Sequence, residues 1–363
     1  MLGFIEKIYG FREDECMLVP FGNGLINQTW LLEYRGQRFV LQKINESIFK
    51  DPGKIENNIH QLGIYFKQHF PGYFFVHPVV TSQNKEMFFL PGEGYFRLFE
   101  FVNGSITHQT VTSPAIAFEG AKQFAKFTHL LAAFNPNTLH ITLPDFHNLA
   151  LRYQQFETAV EQGNKDRITA ASASIAFIRQ YKNIADTYNQ IQTNTQFKKR
   201  VTHHDTKISN VLFDKNGRGL CVIDLDTVMP GYFISDVGDM IRTYTSPVSE
   251  EEQDFSKINL REDYFMAIVD GYLSEMKDDL SAGEKKYFVY AGKCMIYMQA
   301  LRFLTDHFNN DIYYGAKYEG HNCTRGNNQI ELLKQLLEKE DNLQKKINKF
   351  TGKISLMDDA ENR

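Results

Sequence analysis

In VTHHDTKISNVLFD, residues 201–214, two histidines, two aspartates, a lysine and an asparagine stand directly before an apolar triplet. Three chemistries fit such a run: a metal site, a phosphoryl-transfer loop, or an ordinary polar turn ahead of a buried strand. Further on, CVIDLD (221–226) carries an apolar run into Asp224. Asn216-Gly217 between the two pieces is a two-residue hairpin signal. Counted outward from that turn, Asn210 and Asp224 fall opposite each other to within one residue, where Cα atoms stand roughly 4.5–5.5 Å apart. Oxygen-bearing side chains so placed suit Mg²⁺, which takes few protein ligands and completes its shell with water and phosphate. Asp205, a short loop upstream, is placed to accept a proton from a hydroxyl nucleophile. Lys207 follows two residues later, within reach of a transferring phosphoryl group.

These are the parts of phosphoryl transfer: a base carboxylate, an Asn and an Asp on the metal, and a cation against the developing charge. The spacing is that of the kinase catalytic loop, H-x-D-x-K-x-x-N, followed after a hairpin by a metal-binding Asp. Asp226 stands where a protein kinase has a glycine. Two plainer readings remain beside it. One is a satisfied polar loop. The other is a transition-metal site on His203, His204 and Asp205, although neighbours on a loop rarely direct their side chains to one ion and no second histidine pair lies nearby in sequence. His203 itself reads as a brace for the loop.

The nucleotide would need a second set of groups. In FGNGLINQTW, Gly22 and Gly24 allow close backbone approach to phosphates; a plain hairpin turn fits the same residues. FVLQKIN follows as a basic strand. A kinase-type site asks for a strand lysine paired with a helix acid, and Lys43 and Glu56 fill those places. Side chains alternate along a strand, so either Lys43 or Gln42 faces the nucleotide, not both. Glu56 also fits a solvated helix charge. Glu100, Phe101 and Val102 would form the hinge that offers backbone groups to adenine.

The elements that must hold these groups fall into two blocks. The first hundred residues read mostly as strands: CMLVPFGNGLINQTWLLEY, QRFVLQKI, FFVHPVVTS, EMFFLPG and GYFRLFEFV. One helix interrupts them, with Ile55, Ile59, Leu62 and Phe66 on one face. After VNGSIT the pattern turns helical, beginning with a Ser113 cap and Pro114 at the first helical position. The expectation is an α+β fold: a small strand-rich lobe over 1–101, a larger mostly helical lobe over 102–350, and a frayed tail over 351–363. The 363 residues are 42% hydrophobic and 23% charged, enough for a packed core. A formal charge of −4 gives no footprint for nucleic acid or an anionic membrane. Four scattered cysteines without a C-x-x-C pair point to reduced thiols in a cytosol. MLGFIEKIYG meets charge too early for a signal-peptide core, and no stretch approaches the ~20 apolar residues of a membrane span. A soluble cytoplasmic protein is expected; its oligomeric state is not legible.

HHDTKISN with VIDLD resembles the aminoglycoside phosphotransferase and choline kinase superfamily. CVIDLDTVMPG with SDVGDMIRT, and ALRFLTDHFNNDIYYG with HNCTRGNNQ, resemble its N-acetylhexosamine 1-kinase branch, as do PFGNGLINQTW and FVLQKIN. The likeness spans about residues 20–333. It implies a bilobal protein-kinase-like fold, with an antiparallel sheet in the small lobe, and ATP and Mg²⁺ as cofactors. The acceptor it implies is a small-molecule sugar, N-acetylglucosamine or N-acetylgalactosamine, phosphorylated at the anomeric hydroxyl. It assigns Asp205 as base, Asn210 and Asp224 to magnesium, and Arg302 and Tyr313 to the sugar. Arg302 would otherwise pair internally with Asp306 or Asp226, and Tyr313 would be one more core aromatic. His321, Asn322 and Arg325 read as structural. The remaining alternatives are a kinase of another hydroxyl acceptor (an aminoglycoside, choline, homoserine or a thiosugar) and a nucleotide-binding pseudokinase.

Overall fold

The computed structural model describes residues 2–22 and 26–361. In chain order the elements are α1 (Leu2–Tyr9), β1 (Cys16–Pro20), β2 (Gln28–Tyr34), β3 (Gln37–Lys43), α2 (Pro52–His69), β4 (Phe88–Leu90), β5 (Gly94–Glu100) and α3 (Pro114–Leu130). They continue with α4 (Leu149–Gln162), α5 (Lys165–Ala170), α6 (Ser172–Gln180), α7 (Asn183–Thr193), β6 (Arg200–Thr202), β7 (Val211–Phe213), β8 (Gly219–Val222) and β9 (Met229–Gly231). The last four are α8 (Phe233–Tyr244), α9 (Glu262–Met276), α10 (Phe288–Phe308) and α11 (His321–Glu361).

The chain forms two compact units. The first joins residues 1–106 with the later segments 133–144 and 212–230; the second holds 107–132, 145–211 and 231–363. In the first, five antiparallel strands run in the order β1-β2-β3-β5-β4. Arg35 and Gly36, both at positive φ, turn β2 tightly into β3. Alternation sends Phe39 and Leu41 of β3 and Phe96 and Leu98 of β5 into a core shared with Leu32 and with Ile5 of α1. Gln42 and Arg97, paired across β3 and β5, point to the opposite face. α2 starts at Pro52 and buries the expected stripe of Ile55, Ile59, Leu62 and Phe66.

Three local expectations change. FFVHPVVTS forms no strand; it meets β5 through a bridge between Pro78 and Phe99 and the Val79 N–H donating to the Leu98 carbonyl at 2.7 Å, and Pro78 has no N–H to extend a ladder. The β7–β8 hairpin is closed by the Asp214 N–H donating to the Arg218 carbonyl at 2.8 Å, with the Gly217 N–H donating to the Asp214 carbonyl. Its loop therefore has three residues rather than two, with the left-handed position at Gly217, and the register counted outward shifts by one. The backbone also stays helical beyond residue 350, to Glu361.

The second unit is built on α3, α8, α9, α10 and α11. Ser113 caps α3 by accepting from the Ile116 N–H at 3.3 Å, with Pro114 first in the helix. Helices approach closely at glycines: a Cβ on Gly238 or Gly271 would sit 2.3 Å from the carbonyl oxygen of Ala291 or Phe118. Among the described residues no helix is long and apolar enough to cross a membrane, and all four cysteines are free.

Candidate active site

In the second unit, β6 delivers the chain into the loop 203–207, and α8 holds that loop from below. Asp236, in the first turn of α8, accepts the N–H of His203 at 3.0 Å and of His204 at 2.7 Å. Asp239, three residues on and therefore on the same face, accepts the N–H of Thr206 at 2.9 Å. Tyr244 donates its hydroxyl to the Thr206 carbonyl at 2.7 Å. Burial pushes the Asp236 carboxyl up to about 7 despite the two N–H donors, with Asp239 and Asp205 adding to the rise. Burial raises Asp239 as well, against the Arg242 guanidinium. Arg242 continues outward to Glu250.

Such anchoring permits an unusual backbone. His204 lies in the left-handed region at φ 67°, where a side chain of its size is uncommon. The two histidines turn to different neighbours. The His203 ring meets Phe124 edge-on at 5.0 Å, and the His204 ring lies 5.3 Å from that of His147. They do not converge on an ion with Asp205: the one metal-type cluster among the described residues lies elsewhere.

Asp205, Lys207 and Asn210 do come together. Asp205 Oδ2 accepts from Lys207 Nζ at 2.8 Å and from Asn210 Nδ2 at 3.1 Å, and Asn210 Nδ2 also reaches the Asp205 carbonyl at 3.0 Å. Burial would raise the Asp205 carboxyl, but the Lys207 ammonium, His203 and the Asn210 amide outweigh it and hold it below the usual range. The result is an ionised carboxylate with one oxygen steadied by two donors. With its Nδ2 engaged, Asn210 has its amide oxygen left to offer a cation.

In the first unit, Asp224 follows β8 in the left-handed region, φ 64° and ψ 61°, a conformation that short polar side chains tolerate. Two residues on, Asp226 is 2% exposed and pairs with Arg97 of β5, 1% exposed, at 2.5 Å. Arg97 also donates to Gln42 Oε1 at 2.9 and 3.1 Å, and Asn27 donates to Asp226 Oδ2 at 2.7 Å. Gln42 thus shares a buried polar network with Asp226. Lys43 points to the other face and pairs with Glu93 at 3.4 Å.

The expected Lys43–Glu56 pair does not form. Glu56 Oε1 instead accepts the N–H groups of Glu86 and Met87, each at 3.1 Å, because the chain before β4 leaves two donors that β-pairing does not satisfy. Gly22 has φ 76°, and Gly24 lies outside the described residues. Glu100 closes β5 opposite Phe39. The Phe101 N–H donates to the Arg38 carbonyl, and the Val102 carbonyl accepts from Ser105. The Phe101 carbonyl and the Val102 N–H are not engaged in either of these bonds.

Arg302 and Tyr313 line one cavity of about 600 Å³ in the second unit, with Arg152, Thr305, Asp306 and Tyr314. Asp306 does not pair with Arg302: its oxygens accept the N–H groups of Tyr313 at 2.7 Å and Tyr314 at 2.9 Å, and the Asn322 amide at 3.1 Å. The Arg302 guanidinium lies among the rings of Phe146, Tyr313 and Tyr314, 5.5–5.9 Å from their centres. Tyr313 is 65% exposed, so it is no core aromatic. Asn322 and Arg325 are held internally, the first by Asp306 and Asp311, the second by Glu250. His321 accepts from the Lys317 N–H.

Arg97, Arg152, Asp236 and Asp239 were not singled out from the sequence. A lone arginine inside the apolar run GYFRLFEF was a readable signal for Arg97. For the two aspartates, the signal was their i, i+3 spacing in SDVGDMIRT.

Among solved structures, the chain superposes on an amicoumacin kinase in complex with AMP-PNP, Ca²⁺ and Ami, with a TM-score of 0.61 and 12% identity over 92% of each chain. A spectinomycin phosphotransferase in complex with ADP and spectinomycin gives 0.58 and 12%, over 93% of this chain and 97% of that one. Choline kinase from Cryptosporidium parvum Iowa II gives 0.58 and 14%, over 93% and 96%. The fold is thus the α+β fold of these kinase-like phosphotransferases. Residues 18–266 match the model of a family described as the phosphotransferase enzyme family.

Proposed function

Since the chain belongs to the phosphotransferase enzyme family, we propose that it moves the γ-phosphoryl group of ATP to the anomeric hydroxyl of an N-acetylhexosamine, giving the sugar 1-phosphate and ADP. The observation that carries the reading is Asp205, kept ionised on a loop that α8 holds through three side chains, Asp236, Asp239 and Tyr244. The sugar hydroxyl gives its proton to Asp205 as its oxygen bonds to phosphorus, and the bond from the γ-phosphorus to the β-γ bridging oxygen breaks. Lys207 offsets charge on the transferring group. Asn210 would offer its amide oxygen, and Asp224 its carboxylate, to magnesium, which when bound would neutralise phosphate charge. On the nucleotide side the proposal keeps Gly22, Gly24 and the 100–102 hinge. Arg97, steadied by Gln42 and Asp226, takes over as the buried cation on the face where a strand lysine was expected, so Lys43 and Glu56 drop to structural roles.

The cavity supports a neutral acceptor over a cationic one. Its arginines, Arg152 and Arg302, have no carboxylate between them, and Asp306 is committed to backbone and amide donors. An amino alcohol or aminoglycoside would bring cations to cations. Arg302 offers a rigid donor fork to sugar oxygens, and Tyr313 an apolar face with a hydroxyl tip. The test is to incubate the enzyme with Mg·ATP and each of N-acetylglucosamine, N-acetylgalactosamine, glucose and choline, then locate the new phosphate by phosphorus NMR. Phosphate on the anomeric carbon of the N-acetyl sugars is expected, with glucose a poorer acceptor. Phosphate on the primary hydroxyl, or a preference for choline, refutes the acceptor; no transfer to any acceptor returns the pseudokinase reading.

A further inference from the structure

A second cluster of chemistry-bearing groups lies in the first unit and takes no part in the proposed phosphoryl transfer. Glu86, just before β4, has a side chain 7% exposed; its Oε1 lies 2.5 Å from His60 Nδ1 and 3.1 Å from His77 Nε2. Its Oε2 is buried with no hydrogen-bond partner among the described residues. One ligand-type atom from each of the three lies within 4.8 Å of the others.

The tautomer of His77 makes the cluster informative. Its Nδ1 is 2.9 Å from the Pro78 carbonyl oxygen. A carbonyl only accepts, so the ring proton belongs on Nδ1. The neutral ring then aims the lone pair of Nε2 at a carboxylate oxygen, which also only accepts. Two acceptors 3.1 Å apart require a cation between them, either a second ring proton or a metal ion. The same oxygen faces His60, whose ring is 54% exposed.

The surroundings are built to hold this geometry. A Cβ on Gly63 would lie 2.5 Å from His77 Cδ2 and 2.9 Å from Nε2, so the ring seats directly on α2 where only glycine fits. Glu56, His60 and Gly63, spaced by four and three, share one face of that helix. Glu56 fixes the backbone of Glu86 itself. The Pro78 carbonyl behind His77 is the outer partner that metal-bound imidazoles regularly have.

We propose that His60, His77 and Glu86 form a binding site for a divalent ion of the zinc class, with one coordination position open to solvent beside His60. Two imidazoles and one carboxylate are a zinc-type donor set with an open position, whereas magnesium and calcium take oxygen ligands. Donors around a tetrahedral ion with bonds of ~2.0–2.1 Å stand roughly 3.3 Å apart. A small outward rotation of the exposed His60 ring opens its contact to that distance. The ion would clip α2 to the segment that leads into β4.

The test uses the full chain, stripped with a chelator and then titrated with Co²⁺ as a spectroscopic probe and with Zn²⁺ by equilibrium dialysis. One equivalent of Co²⁺ should give the intense visible absorption of a four-coordinate ion, and Zn²⁺ should displace it. His60→Gln and His77→Gln should each weaken uptake by at least about tenfold, the least expected from losing a direct ligand when outer partners alone cost 10–100-fold. His60 is exposed, so its variant keeps the fold, checked by circular dichroism. Asp224→Ala should retain the band, which separates this site from the nucleotide's metal. Failure of the wild type to take up metal at micromolar concentration overturns the proposal and leaves a proton as the cation. Uptake unchanged in both histidine variants overturns it too. None of these outcomes depends on the acceptor of the phosphoryl transfer.

Discussion

Arg97 and Asp226 face each other at 2.5 Å with side chains 1% and 2% exposed, far apart in sequence and shut off from water. Breaking a buried pair leaves a lone charge, which costs about 3–5 kcal/mol, while replacing both partners by apolar groups is often neutral. Arg97→Met should therefore lower unfolding free energy by that amount. Arg97→Met with Asp226→Leu should recover much of it. Urea unfolding of the two variants measures the difference, and a double variant no better than the single would show that the pair is not the stabilising unit.

Asp205→Asn keeps the shape of the loop but removes the base. Turnover should fall by roughly 10²–10⁴, with little change in ATP affinity or melting temperature. Near-normal turnover in the variant would take proton abstraction away from Asp205.

The pH profile of the same group has a definite sign. Its carboxyl is held below the usual range, first against burial and then by Lys207, His203 and Asn210. The base therefore stays ionised through neutral and mildly acidic pH, and the acid limb of kcat/KM should lie below the ordinary carboxylate pKa of about 3.9. Lys207→Met removes the chief lowering charge, so the limb should move to higher pH. A limb that stays in place, or moves down, contradicts the ion pair. By linkage, the stability that Asp205 contributes is present above about pH 3.9 and lost as pH falls through its folded value.

Asp224→Ala should raise the Mg²⁺ concentration needed for half-maximal rate more than Asn210→Ala does, because a carboxylate brings charge and an amide does not. Titrating Mg²⁺ at fixed ATP ranks them. If neither variant shifts the curve, both leave the metal site.

On the acceptor side, Arg302→Ala and Tyr313→Ala should raise KM for the N-acetyl sugar while sparing KM for ATP. Removing a donor from a site that hydrogen-bonds its substrate leaves substrate groups unpaired. Saturation curves in each substrate separate the two effects, and a larger change on the ATP side would move both residues out of the acceptor pocket.

The meeting of Asp205, Lys207 and Asn210 was legible because it is local: they lie within six positions and meet through a turn. The helical stripe of α2 and the Ser113-Pro114 start were legible for the same reason. Partners across long separations were not. Gln42 and Lys43 are adjacent in sequence, and only the β3–β5 register places one beside Arg97 and the other beside Glu93. Glu56 looked like the partner of a lysine until the backbone of Glu86 and Met87 supplied two donors that a single pattern could not reveal.

The grip of Glu56 bears on how such an enzyme is controlled. In protein kinases, the strand lysine and the helix glutamate make an ion pair that forms or breaks as the helix shifts, and this is their switch. Here the glutamate is fastened to two consecutive N–H groups of its own unit, and the lysine beside Gln42 looks the other way. Tied near the start of α2 to the chain that leads into β4, Glu56 is not available for such an ion pair.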